Sequence, residues 1–317
     1  MTKTKFILFL LIFQIGIVSL FAQSENPSNT DTQDIPSATA SSLFKKHLLR
    51  IANSSTILDK VDLQDSKVAL KVWSDLVSEE ENTNFVTEVS IVEGLDLIKS
   101  SLENNSVDMV SLSSLEYLEL KEQISLIPAY FGTVGSDSLD TLLLIVHKES
   151  NINSFQDLKG KNVKIEMTGS GRIPMIWLDT ELLRQGLPPA EKWCQSLKLM
   201  DKVAQAVHPV FFRQADACVV RKFGFQTMVE MNPQLGNQLK IIGQSPPYVR
   251  AVVCFRAGYG SDLREILTRS AVKLHTKTKG KQILTLFKLD RIILFQEELF
   301  DSIRKLIKEY NALKGKN

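Results

Sequence analysis

Residues 166–186 read EMTGSGRIPMIWLDTELLRQG: a strand-like end, a Gly-Ser-Gly turn, an arginine, and a helix that stops at glycine. Proline is tolerated in a first helical turn, where its missing N–H is not needed, so Pro174 sets the helix opening at Gly171 to Ile173. The amides of Gly169 to Arg172 then have no intrahelical acceptor, and the two glycines leave that backbone open to close approach. N–H groups, the positive end of the helix dipole, the Ser170 hydroxyl and the Arg172 charge converge there. An oxyanion is the guest that suits them. Thr168, Gly169, Ser170, Gly171 and Arg172 are therefore the candidate cradle; a turn that binds only water is the plain alternative.

Other chemistries find less support. G-S-G-R-I-P has proline where a dinucleotide fingerprint needs its third glycine for close helix–strand packing, and the Gly-Lys-Ser/Thr of a P-loop is absent. Ser170 is preceded directly by glycine, so no G-x-S-x-G elbow exists. His47, His147, His208 and His275 are scattered without metal-ligand spacing, and no cofactor or metal is expected. Cys194, Cys218 and Cys254 form an odd set with no C-x-x-C spacing. Buried free thiols are the expectation, with a 218–254 disulfide as the alternative. No enzymatic role is expected.

The elements that must hold the turn come next. The chain has 317 residues, 44% hydrophobic and 23% charged, enough for a large core and two domains or lobes. Its net charge of +2 gives no footprint for nucleic acid. Lys3 and Lys5 precede the apolar run FILFLLIFQIGIVSLFA, which ends on the small residue Ala22; this is a secretory leader, residues 1–22, with an uncleaved anchor as its rival. No cysteine near the cut allows lipid attachment. Residues 23–42 are polar, small and Pro-containing, a tether that cannot offset its ordering entropy. The mature chain is expected in the periplasm, without stable membrane insertion and as a monomer.

From His47 onward strand-like and helix-like segments alternate, which argues for α/β layers. HLLRIAN, FVTEVSIV, VDMVSLS, ISLIPAYF and LDTLLLIVHKES read as strands. DLQDSKVALKVWSDLVSEE, GLDLIKSSLE and SSLEYLELKE read as helices, the last with Ser113 or Ser114 as its cap. Ser154 and Asp157 cap one short turn, Gly160 ends it left-handed, and Val163, Ile165 and Met167 alternate as a strand. ADACVV, LKIIGQ and AVVCFRAG follow as strands, FGFQTMVEM as a helix, and the end of the chain is helical.

In this order the segments resemble the periplasmic solute-binding proteins of phosphate, phosphite and phosphonate ABC transporters. The run ESNINSFQDLKGKNVKIEMTGSGRIPMIWLDTELLRQG is similar to that family's strand entry and Ser/Gly-rich turn. VDMVSLSSLEYLEL, KVAQAVHPVFFRQADACVV and NPQLGNQLKIIGQSPPY resemble its further landmarks across residues 48–290. The family's turn often reads S-T-S-G, whereas T-G-S-G-R here carries fewer hydroxyls and one more cation.

The resemblance implies a two-lobed, type II periplasmic-binding fold, each lobe a mixed sheet flanked by helices, with a two-strand hinge. Lobe one would span 43–145, lobe two 146–250, and 251–317 would return to lobe one, the crossings falling near Thr141–Lys148 and Pro246–Phe255. Ligand would sit between the lobes and shift the molecule from open to closed. Ser111, Ser113 and Ser114 end a strand and open a helix, offering a second set of amides and hydroxyls. Tyr117 stands at the family's tyrosine, and Asp216 at a strand end that faces the cleft there, able to accept from a ligand amine or from Arg221. Arg221 could serve an anion, and Tyr130 and Tyr248 flank the expected hinges. The implied ligand is a small oxyanion, and the implied partner is an ABC permease, or alternatively a membrane sensor; an enzymatic or degenerate member of the fold is the further alternative.

Overall fold

The computed structural model describes residues 46–57, 63–134, 139–167 and 171–315. The expected leader and tether lie outside the described residues. The first third of the chain forms β1 (Lys46–Ser54), α1 (Leu63–Glu81), β2 (Asn84–Val92), α2 (Leu95–Glu103), β3 (Met109–Ser113), α3 (Ser114–Leu120) and β4 (Leu126–Thr133). The middle forms β5 (Leu142–His147), β6 (Asn162–Glu166), α4 (Ile173–Arg184), α5 (Ala190–Trp193), β7 (Ser196–Met200), α6 (Val203–Phe211), β8 (Ala217–Arg221), α7 (Lys222–Met231), α8 (Pro233–Gln238) and β9 (Leu239–Gln244). The end adds β10 (Ala251–Arg256), α9 (Ser261–Lys273), α10 (Thr278–Leu286), β11 (Arg291–Leu294) and α11 (Asp301–Lys314).

Two mixed sheets result. The first has strand order β11-β4-β10-β3-β1-β2, the second β7-β6-β8-β5-β9. β1 runs parallel to β2 and β3, and β6 parallel to β7 and β8, so helices must carry the chain between these neighbours. In each sheet a strand from the far side of a crossing runs antiparallel to them: β10 beside β3, β5 beside β8.

The crossings differ from the sequence expectation. Leu142–His147 was expected to pass between lobes but lies wholly in the second sheet, buried at every position. The reason is double coverage. Leu143 and Ile145 pack toward α6, while Leu142, Leu144 and Val146 face the core on the other side. A strand covered on both faces needs a continuous apolar run, and LLLIV supplies one. The chain therefore leaves the first sheet after Thr133 and has already joined the second at Leu142, rather than crossing within Thr141–Lys148. It returns at residues 245–250 rather than through Phe255, because β10 belongs entirely to the first sheet. The two crossing segments meet at one bridge, where Asp140 N–H donates to Tyr248 O at 2.8 Å and Tyr248 N–H to Asp140 O at 2.9 Å.

Burial follows these layers. Leu49, Ile51, Trp73, Val77, Leu267 and Ile283 close one face of the first sheet under α1, α9 and α10. A second core runs from Val110, Leu112 and Phe131 through Phe300, Ile303 and Leu306 to Trp177, Leu182 and Ile165, joining both sheets through α4 and α11. Each such large apolar side chain contributes about 1.5–3 kcal/mol when fully buried. At the start of β3, Asp108 is completely buried and takes Arg50 Nε at 2.8 Å and Arg256 Nε at 2.9 Å, pinning β1, β3 and β10 at that edge.

β7 had no counterpart in the sequence reading, and β11 interrupts an end of the chain expected to be helical. β7 and β11 are edge strands with no fully buried residue, so they carry no strand period. The 218–254 disulfide does not form: Cys218 lies in the second sheet, Cys254 in the first, and Cys194, Cys218 and Cys254 are all free and buried.

Candidate functional site

Parallel strands bring their carboxyl ends to one edge, and a crevice beyond that edge is where open α/β sheets bind ligands. In the first lobe the edge carries Ser54 from β1 and Ser113 from β3. In the second it carries Glu166 from β6, Arg221 from β8, and the opening of α4.

α4 begins as the sequence requires. Pro174 sits in its first turn, Arg172 at the N-cap supplies no side-chain cap, and Gly171 adopts φ +53. A β-carbon placed on Gly171 would stand 3.8 Å from Ser113 Oγ, so the turn of one lobe faces the strand end of the other. Arg172 is exposed, and its guanidinium reaches Glu119 of α3 at 3.3 Å. Thr168, Gly169 and Ser170 lie outside the described residues.

On the first lobe the serines are engaged. Ser113 caps α3, accepting from Glu116 N–H at 3.3 Å, and its own N–H and hydroxyl both donate to Glu116 Oε2 at 2.8 Å. Ser114 N–H donates to Arg250 O at 3.1 Å, and its hydroxyl donates to Val249 O. The amides and hydroxyls expected from Ser113 and Ser114 for a ligand are therefore already spent on the protein. Ser111 lines a cavity of about 160 Å³ between the first sheet and its α1/α10 cover, with Asn53, Trp73 and Tyr130 among its neighbours.

The aromatic candidates are core residues. Tyr117 is buried edge-on against Phe295 and Phe300, and burial pushes its hydroxyl up to about 12. Tyr130 is buried, its hydroxyl donates to Met109 Sδ at 3.6 Å, and burial raises its pKa. Tyr248 is buried at the crossing.

Asp216 does not face the cleft. It precedes β8 and accepts from Asn162 N–H at 2.8 Å, at the sheet edge opposite α4. Arg221 closes the same strand, roughly 16 Å away at about 3.3 Å per residue, so the two cannot pair. Arg221 instead binds Glu166: Nη2 to Oε1 at 2.9 Å and the backbone N–H to Oε2 at 3.0 Å, with Glu166 only 2% exposed.

Glu116 and Glu166 are the site residues that sequence reasoning missed. The S-x-x-E of a capping box at 113–116 was a readable signal for the first. Nothing local announces that Ser54 and Thr56 also turn to it, donating at 2.6 and 2.8 Å. Among the described residues no cluster of His, Cys, Asp or Glu could hold a metal ion, and no helix is long and apolar enough to cross a membrane.

Two mixed α/β sheets, joined by two short crossings and facing each other across their strand ends, define the type II periplasmic-binding fold. The profile of one family, described as ABC transporter, phosphonate, periplasmic substrate-binding protein, matches residues 64–300. The chain belongs to that family. Solved structures agree on the fold. XAC2383 from Xanthomonas citri, solved with chloride, is 17% identical with a TM-score of 0.65, covering 85% of this chain and 99% of that one. PhnD1 from Prochlorococcus marinus, solved with methylphosphonate, is 16% identical with a TM-score of 0.61, covering 83% and 98%. A binding component of a Pseudomonas aeruginosa phosphonate transporter is 15% identical with a TM-score of 0.60, covering 84% and 87%. Among curated proteins none matches this chain by sequence.

Proposed function

We propose that this chain is an exported solute-binding protein that captures a small oxyanion, phosphate-, phosphite- or phosphonate-like, between its lobes and delivers it to an ABC permease. The observation that carries this reading is the approach of Gly171 to Ser113, which sets the open end of α4 against the strand ends of the other lobe. The first amides of α4 lack intrahelical acceptors, and the dipole favours negative charge at that end. The site works by binding alone, as a monomer, with no turnover of its ligand. Export uses the leader, cut after Ala22, and residues 23–42 tether the mature protein.

A thermal-shift panel with phosphate, phosphite, methylphosphonate and sulfate tests the ligand class. An oxyanion present at a hundredfold excess over its dissociation constant stabilises the protein by about 2.7 kcal/mol. A panel without any shift overturns the reading. N-terminal sequencing of exported protein tests the cut, and light scattering tests the monomer.

A further inference from the structure

Buried polar atoms are costly without a partner, and an indole N–H can only donate. Of the three tryptophans, Trp177 donates to Glu181 Oε1 at 3.1 Å and Trp193 to Gln156 O at 3.2 Å. Trp73, only 2% exposed, has no partner for Nε1 among the described residues. Asn53, 6% exposed, leaves Nδ2 unpaired in the same way. Both residues line the cavity of about 160 Å³ in the first lobe.

Strand register explains why they meet there. Asn53 of β1 stands beside Ser111 of β3, Ser111 beside Val253 of β10, and Val253 beside Tyr130 of β4. Residues paired across neighbouring strands share a face, so this row forms the floor of the cavity. Trp73 of α1, Ala271 of α9, and Ile283 and Leu284 of α10 form its roof. The Tyr130 hydroxyl is turned to Met109 Sδ at 3.6 Å and satisfies neither nitrogen. Among the described residues no part of the second lobe, 142–244, lines this space, so it is separate from the opening of α4.

We propose that this cavity is a second binding site, for a small uncharged molecule with an apolar body and a hydrogen-bond acceptor, such as a cyclic ketone, whose oxygen takes the Trp73 N–H. A cavity of about 150 Å³ lined by Leu, Ile and Phe holds benzene, so the body is a ring of about six heavy atoms. The apolar walls gain from carbon, which water does not bring, and the two donors gain from an acceptor, which a hydrocarbon does not bring. Arg250 is the one charged residue on the lining among the described residues, and it is engaged by another contact. An ion in such walls would lose its hydration without a free counter-charge.

Cyclohexanone and methylenecyclohexane have nearly the same shape and differ in the acceptor, so they are the probes. Leaving water costs the ketone more, so the comparison is made between proteins, by titration calorimetry of wild type and Trp73→Phe. Phenylalanine keeps an aromatic body and deletes the donor. Wild type is expected to bind both probes saturably, and Trp73→Phe to lower the ketone-to-hydrocarbon affinity ratio about tenfold, the worth of one hydrogen bond to a buried donor. Ala271→Leu fills the space with carbon and is expected to abolish binding of both. A ketone that fails to bind wild type, or binds a folded Ala271→Leu protein equally well, overturns the proposal. So does an unchanged ratio in a folded Trp73→Phe protein. Cyclohexanecarboxylate binding more tightly than the ketone overturns the uncharged class. The oxyanion reading of the cleft stands whichever result is found, because the two sites share no residue of the second lobe.

Discussion

Gly171 of the second lobe stands directly across from Ser113 of the first, with 3.8 Å between the Ser113 hydroxyl and the place a Gly171 β-carbon would occupy. That distance is ordinary contact, so space does not demand glycine. The backbone does: φ is +53, a conformation that costs an L-residue roughly 1–2 kcal/mol. Gly171→Ala is expected to lose about that much stability in denaturant titration. Gly171→Asn is expected to lose less, since asparagine enters this region more readily. An alanine variant as stable as wild type would show that the turn relaxes at no cost.

Asp108 is a second point where one change should be felt. Its carboxylate is fully buried between Arg50 and Arg256. Truncation leaves two guanidinium groups without their shared partner. Asp108→Ala is expected to destabilise by about 3–5 kcal/mol, the range for breaking a buried ion pair from one side. Because this cluster sits at the edge away from α4, stability should fall while the affinity of any protein that still folds is unchanged.

The thiols should be silent. Burial pushes the Cys194 thiol up to about 11 and raises Cys218 and Cys254 further. The thiolate is the reactive form, so at pH 8 the folded protein is expected to resist alkylation at all three positions. Unfolding should release three titratable thiols. Rapid labelling of native protein at Cys218 or Cys254 would contradict the packing of both sheets.

α4 and α11 are tied by a two-pronged pair, Arg184 Nε to Glu309 Oε1 and Arg184 Nη2 to Glu309 Oε2, each at 2.6 Å. The hydrogen bonds from Arg184 hold the Glu309 carboxyl below its usual range. A carboxyl whose pKa falls on folding stabilises the protein above its unfolded pKa, and that contribution is lost as pH falls through the folded value. Both side chains are more than a third exposed, which limits the effect to below about 1 kcal/mol. Glu309→Gln should therefore be slightly less stable than wild type at neutral pH, and the gap should close in acid. A gap that widens as pH falls would reverse the sign.

Much of this molecule was settled by sequence alone, because periodicity, caps and breakers act over a few residues. The alternation of strands and helices, the start of α4 just before Pro174, the left-handed Gly160 and the stop of α4 ahead of Gly186 are of that kind, since each depends on backbone geometry within one turn. Tertiary structure decided the rest. Strand direction put Arg221 at the cleft edge and Asp216 at the opposite one. Folding also brought Ser54 and Thr56 to Glu116, some sixty residues away in the chain, and the Ser113 hydroxyl, expected to serve a ligand, turns to the same carboxylate. A hydroxyl's single proton goes wherever the nearest acceptor lies, and that acceptor is chosen by which strands become neighbours.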